Sequence, residues 1–254
     1  YTLSEWMTAV TIADSSKQQT VSSILLHDWQ KIERLLDLHK SMSLPIHHYL
    51  CLESTHFIRD ATEIQAYFAS HEKKRFAIRA IPRQPDLTPG RALDITREEC
   101  FAYINHLSRT GGRYQIYLWE YFIPKFSGTI IVTTQGLYAE MVRGSHLLLT
   151  QQSIEASNLI TASLTFPHYH MVYSTDDIGA RTVLWRAITY LIIKTCGTIS
   201  PLSPPVFLNG YFEFSFHAAR GYRFFDCNTH PFIAKVPYPV RFDPYPRPVV
   251  HQFL

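Results

Sequence analysis

Glu213, Asp226 and Asn228 are the residues of this chain whose types and spacing come nearest to a metal-binding set. They lie in Tyr211-Phe-Glu-Phe-Ser-Phe-His217 and Tyr222-Arg-Phe-Phe-Asp-Cys-Asn228, two alternating segments joined by Ala218–Gly221. Alternation of this kind predicts a β-hairpin. With Ala218–Gly221 as the turn, His217 faces Tyr222, Glu213 faces Asp226, and Asn228 faces Tyr211. Side chains alternate with period two, so Glu213, Asp226 and Asn228 share one face. Phe212, Phe214, Phe216, Phe225 and Cys227 share the other, which is the core face. Two acids placed directly opposite each other repel unless a cation lies between them, and in this register the polar face of the hairpin carries no Lys or Arg. Two carboxylates and an amide are hard oxygen ligands that suit Mg²⁺, with nucleotide phosphates completing its shell. The competing reading is a half-solvated hairpin in which each acid pairs with a basic residue from elsewhere, because hairpin register slips.

The elements before the hairpin must carry it. Leu25, Leu26, Trp29, Ile32, Leu35, Leu36 and Leu38 recur at helical spacing over residues 22–43, and Pro45 stops that helix. A short strand over Ile46–Leu52 and a helix at about 57–70 follow. Phe76–Ile81 is a buried strand carrying a single arginine, Arg79, and is ended by Pro82. Thr96-Arg-Glu-Glu99 is a capping box that opens a helix running to about Ser108. Gly111-Gly112 turns the chain into an alternating strand, Tyr114–Glu120, and further strands are expected at 128–134, 137–142 and 145–150. Residues 151–175 fit neither pattern cleanly. Asp176 or Asp177 caps a helix to Cys196, with Gly197 as its stop. The last 24 residues hold six prolines and predict an extended tail without regular structure. This order is α+β, with mainly antiparallel strands rather than a run of βαβ units.

Composition removes several classes. With 254 residues, 46% of them hydrophobic, the chain buries a real core as one large domain or two lobes. A net charge of +3 is too mild to argue for nucleic acid or an acidic membrane surface. Cys51, Cys100, Cys196 and Cys227 show no CxxC spacing, which argues against zinc and a disulfide framework and for a reduced, cytoplasmic setting. No basic start followed by an apolar run marks a signal peptide in residues 1–28. The apolar stretch Val183–Ile193 is interrupted by Arg186 and too short to span a bilayer. The P-loop, the serine-hydrolase elbow and the paired-glycine dinucleotide fingerprint are missing. His47, His48, His168 and His170 lack a third ligand at diagnostic spacing and read as structural.

Taken in order, these segments resemble the ATP-grasp superfamily over roughly residues 25–232. Lys31-Ile-Glu-Arg-Leu-Leu followed by Ser43-Leu-Pro-Ile46 is similar to its first-lobe helix and turn. Phe76-Ala-Ile-Arg79 resembles the strand that sends a basic residue to the phosphates, and Ala80-Ile-Pro is closest to phosphoenolpyruvate synthase-like nucleotide-binding domains. Glu120-Tyr-Phe-Ile-Pro-Lys125 resembles the strand and hinge that contact adenine, and Glu140-Met-Val-Arg-Gly144 the second strand of the same sheet. Glu213, Asp226 and Asn228 fall where the family places its magnesium ligands. The chain departs from the family at the glycine-rich phosphate-covering loop, where Pro82–Gly90 is proline-rich and stiffer.

The resemblance implies an ATP-grasp-like fold of two α+β lobes clamping a nucleotide. The lobes are residues 1–125 and 126–232, and residues 233–254 form the tail. It implies ATP and Mg²⁺ as cofactors, with Arg79 and Lys31 on the phosphates. Backbone contacts to adenine would come from Tyr121 and Ile123, and Glu120 lies at the hinge. For Arg79, a buried guanidinium needs an anion, either nucleotide phosphate or a core carboxylate. Arg143 and Arg181 are candidates for a substrate carboxylate or are structural. The implied activity is an ADP-forming ligase that activates a small-molecule or peptide carboxylate as an acyl phosphate for capture by an amine. The alternatives are a phosphotransferase and a nucleotide-binding scaffold that has lost catalysis.

Overall fold

The computed structural model describes residues 30–54, 61–71, 74–84, 87–150, 158–166, 170–193, 205–229 and 249–251. They fall into two compact units. The first runs over His47–Phe122; the second joins Gln30–Ile46 to the described residues from Ile123 onward.

In the first unit, β1 (Leu50–Glu53), β2 (Phe76–Pro82), β3 (Gly90–Ile95) and β4 (Tyr114–Glu120) form an antiparallel sheet in the order β1-β4-β2-β3. Phe76, Ile78 and Ala80 of β2 and Ile116 and Leu118 of β4 share one face, as period-two alternation demands. Onto it pack Ile64 and Phe68 of α2 (Ala61–Ser70) and Cys100, Ile104 and Leu107 of α3 (Arg97–Arg109). The capping box forms as the sequence predicts: Glu99 N–H donates to Thr96 Oγ1 at 3.2 Å, and Thr96 N–H donates to Glu99 Oε2 at 2.6 Å.

The second unit is built on a seven-stranded antiparallel sheet. Its strands are β5 (Phe126–Val132), β6 (Gly136–Arg143), β7 (Ile160–Thr165), β8 (His170–Tyr173), β9 (Gly210–His217), β10 (Gly221–Asn228) and β11 (Val249–His251), in the order β10-β9-β5-β6-β7-β8-β11. Helix α1 (Lys31–Met42) lies against β10, where Cys227 Sγ approaches the Lys31 carbonyl at 3.9 Å. Ser43, left-handed at φ 58°, ends α1, and the Pro45 carbonyl then accepts from Phe224 N–H at 2.7 Å. Helix α5 (Ile178–Thr189) covers the phenylalanine face, receiving the Tyr222 hydroxyl on its Val183 carbonyl at 3.0 Å. Residues 145–150, expected as a strand, instead form a helical turn, α4 (Leu147–Thr150). The fold is α+β with two mainly antiparallel sheets.

Several local expectations are corrected. Helix α5 ends at Thr189 rather than Cys196, because the β-branched pair that follows it turns to pair instead. Ile193 N–H donates to Val206 O at 2.7 Å, and Ile192 bridges Phe207. Strand β3 arises just beyond the proline-rich stretch that reads as loop. The tail is not wholly irregular, since Val249–His251 adds to β8 as the edge strand. Residues 22–29 of the first expected helix, His168 and Cys196 lie outside the described residues. Among the described residues no disulfide forms, and burial pushes the thiols of Cys100 and Cys227 up to about 12, which makes them poor nucleophiles. Among the described residues no helix is long and apolar enough to cross a membrane.

Candidate functional site

The hairpin forms, but not by the simple register read from its turn. Gly221 faces His217 and Phe224 faces Phe214, one step away from expectation. A β-bulge between Phe224 and Asp226 absorbs that step, so Asp226 faces Glu213 and Asn228 faces Tyr211 as expected. The bulge also re-sorts the aromatics. Phe224 takes the core place expected of Phe225 and is fully buried. Phe225 is half-buried and sets its ring 5.4 Å from that of His146, edge to face.

Each acid of the opposed pair has a partner. Asp226 is ion-paired with the Lys31 ammonium at the start of α1, the two side chains being 18% and 11% exposed. Lys31, expected on phosphate, and Asp226, expected on magnesium, therefore meet each other, and the cation comes from a helix 195 residues away in sequence. Glu213 accepts the Tyr211 hydroxyl on Oε1 at 2.5 Å, with His146 Nδ1 3.7 Å from Oε2. Burial first, and then the charge of Glu213, push the Tyr211 phenol far above its ordinary range, so it remains a donor. On the neighbouring strands, register puts Thr129 beside Glu213 and Glu140 beside Thr129. Burial raises the Glu140 carboxyl. Glu213, Asp226 and Glu140 thus lie in one cross-strand row, and Lys31 supplies a neighbouring positive charge.

Other expected residues sit apart from this cluster in sequence or role. Arg79 is the one partly exposed residue of an otherwise buried β2. It lies opposite Tyr117 of β4, on the face of the first sheet away from α2 and α3. Glu120 ends β4 in an ion pair with Lys74 at 2.9 Å. The Tyr121 N–H donates to Arg75 O at 2.8 Å. Ile123 is 83% exposed, and its carbonyl lies 3.3 Å from His217 Nδ1 in the second unit. Arg143 pairs with Asp177 at 2.7 Å, and Arg181 with Asp176 at 2.5 Å, so both have structural partners. His47 is buried against Trp119 and Tyr49, in keeping with a structural role. A groove of about 370 Å³ in the first unit is lined by Glu53, Arg83, Arg113 and Tyr114, none of which was singled out.

The donor set passes a limited test for Mg²⁺. Glu213, Asp226 and Asn228 offer oxygen atoms on adjacent strands, and with Lys31 counted their formal charge is still −1 (two carboxylates, one ammonium). A hard divalent ion suits such donors, provided that Lys31 yields Asp226. Among the described residues no group of three or more His, Cys, Asp or Glu side chains is arranged to hold a metal on its own, so the amide of Asn228 and outside oxygens would be needed. Sequence reasoning missed Tyr211, Thr129 and His146. Tyr211 was legible, two residues from Glu213 on the same face; the other two depend on strand order.

No family model matches the chain, and no curated protein sequence matches it. Solved structures do share parts of its arrangement. One is a macrocyclase, MdnC, bound with its precursor peptide from Microcystis aeruginosa, at 10% identity over 85% of this chain and 58% of that one, with a TM-score of 0.42. Another is an ATP-grasp ligase from Chryseobacterium gregarium in complex with ADP and a leader and core peptide, at 11%, 80%, 53% and 0.40. A third is D-alanyl-alanine synthetase A from Vibrio cholerae, at 11%, 83%, 58% and 0.40. None of these three is a phosphoenolpyruvate synthase-like protein. The chain spans between half and three-fifths of the length of each structure. The likeness concerns fold alone, and with TM-scores below 0.5 nothing about activity follows from it.

Proposed function

We propose that this chain is an ADP-forming ligase of the ATP-grasp kind, using Mg-ATP to join a carboxylate to an amine. The observation that carries the reading is the opposed pair Glu213 and Asp226, with Asn228 one step further along the ribbon and Lys31 reaching Asp226. Like charges in direct cross-strand register are unfavourable. A cation resolves them, and both an ammonium and a divalent ion qualify. In this reading Glu213, Asp226 and Asn228 hold Mg²⁺, which would neutralise phosphate charge. Lys31, released from Asp226, turns its ammonium to the phosphates, and Arg79 is assigned to phosphate as well.

The chemistry needs no side-chain nucleophile. A substrate carboxylate oxygen attacks the γ-phosphorus of ATP, the bond to the bridging oxygen breaks, and ADP leaves. An amine then attacks the resulting acyl phosphate carbon, inorganic phosphate leaves, and the amine nitrogen loses a proton. Positioning and charge neutralisation carry the rate. Small molecules and peptides are both admissible as the carboxylate.

A second reading has its own support. Asp226 is already satisfied by Lys31 and the Tyr121 N–H by Arg75, which favours a nucleotide-binding or scaffold protein without turnover. Calorimetry with a non-hydrolysable ATP analogue and Mg²⁺ comes first; no binding removes both readings. With binding in hand, ADP and free phosphate formed in the presence of carboxylates and amines support the ligase. Phosphate that stays on the acceptor would make the protein a phosphotransferase, and binding without turnover supports the scaffold.

A further inference from the structure

Glu213 stands among polar side chains on the face of the second sheet that carries Tyr211 and Asp226. Tyr211 donates to its Oε1 at 2.5 Å, and His146 Nδ1 lies 3.7 Å from Oε2. Thr129, directly across from Glu213 on β5, lies 3.3 Å from His146 Nε2. The bulged Phe225 backs the imidazole with its ring. His146 itself comes from the turn between β6 and α4, held close by Ser127, whose hydroxyl donates to Gly144 O at 2.7 Å.

An unrestrained glutamate on a sheet surface samples several rotamers. Here one oxygen accepts from Tyr211, and the other lies 3.7 Å from His146, which Thr129 contacts in turn. Partners of this kind orient a carboxylate without touching what it binds. We propose that Tyr211 and His146 are positioning residues for Glu213, fixing its carboxylate for a divalent ion and so setting the affinity of the site for that ion. This rests on the reading of Glu213 as a metal ligand given above.

The test uses the full chain, a non-hydrolysable ATP analogue and Mn²⁺, whose free fraction is read by electron paramagnetic resonance. The variants are Tyr211→Phe, His146→Ala and His146→Asn; the asparagine amide replaces the nitrogen that faces Glu213. Tyr211→Phe and His146→Ala should each weaken Mn²⁺ binding roughly 10- to 100-fold. Analogue affinity measured in chelator should stay within about twofold of wild type, circular dichroism melts should stay close to it, and His146→Asn should recover most of the loss. A general packing role would lower the melt and the metal-free nucleotide affinity together, and that outcome overturns the inference. Wild-type Mn²⁺ binding with unchanged binding in both variants also overturns it while leaving the functional reading intact. If wild type takes up no Mn²⁺ with the analogue, the functional reading fails and the inference falls with it. Failure of His146→Asn to recover binding removes His146 alone.

Discussion

Replacing Lys31 by methionine keeps the length of the side chain and removes the ammonium paired with Asp226. Glu213 and Asp226 are then left facing each other across the β9–β10 ribbon. Cross-strand side chains start about 5 Å apart. At a carboxylate separation of about 6 Å and an effective dielectric near 20, two unit charges repel by roughly 3 kcal/mol. Water and side-chain relaxation reduce this, so a destabilisation of about 2–3 kcal/mol is expected, short of the 3–5 kcal/mol seen for fully buried pairs. For a chain of this size that corresponds to a fall in Tm of about 5–10 °C. Magnesium should then restore what the ammonium supplied: free Mg²⁺ at a hundredfold excess over its Kd recovers about 2.7 kcal/mol. The assay is a thermal melt followed by circular dichroism, with and without MgCl₂ and at constant ionic strength. It compares wild type, Lys31→Met, and the double variant Lys31→Met/Asp226→Asn. Magnesium should raise the Tm of Lys31→Met more than that of wild type, where it must displace Lys31, and should do little for the double variant. Equal magnesium shifts in wild type and Lys31→Met, or a Lys31→Met melt identical to wild type, would refute the reasoning.

Three further outcomes follow from the geometry. Thr96→Ala removes half of the α3 capping box and should cost about 1 kcal/mol, read by urea denaturation; an unchanged midpoint would mean that the box is not formed in solution. The Glu99 carboxyl of that box is held below its ordinary value of 4.5, chiefly by the Thr96 N–H, so its contribution is present above pH 4.5 and lost as acid protonates it. Gly128→Ala would put a Cβ 2.5 Å from Glu140 O and 2.6 Å from Phe214 Cε1. Overpacking of this kind should cost about 2–3 kcal/mol, and a normal melt would show that β5 and β6 pack less closely than described. Burial lowers the His217 imidazole below its ordinary 6.5, so the unfolded chain binds the proton more readily. His217 therefore adds stability above pH 6.5 that is lost as pH falls through its folded value. Melts at pH 7.5 and 5.0 should show this slope, and His217→Asn should flatten it; the same slope in that variant would exclude His217 as its source.

What was legible in the sequence was local. The capping box at Thr96 and Glu99 spans four residues and depends only on them, so it formed as read. Alternation over Tyr211–Asn228 was enough to place a hairpin and to face Glu213 with Asp226. The end of α5 was not legible, because Ile192 and Ile193 suit a helix pattern as well as the pairing with Val206 and Phe207 that they adopt. Residues 145–150 failed for a similar reason: a short run of leucines reads as strand or helix, and only α4 settles it.

The sequence by itself determined the α+β class, the hairpin and the facing of Glu213 with Asp226 across it, because period-two alternation and caps are decided within a few residues. Tertiary structure decided who neutralises the acids. The bulge at Phe225 corrected a register that the turn alone would have misplaced. Helix α1 delivered Lys31 to Asp226 across 195 residues. Strand order brought Thr129 and His146 to Glu213. A carboxylate's partner is chosen by electrostatics at a few ångströms, and that neighbourhood exists only once the strands are ordered and the helix is docked.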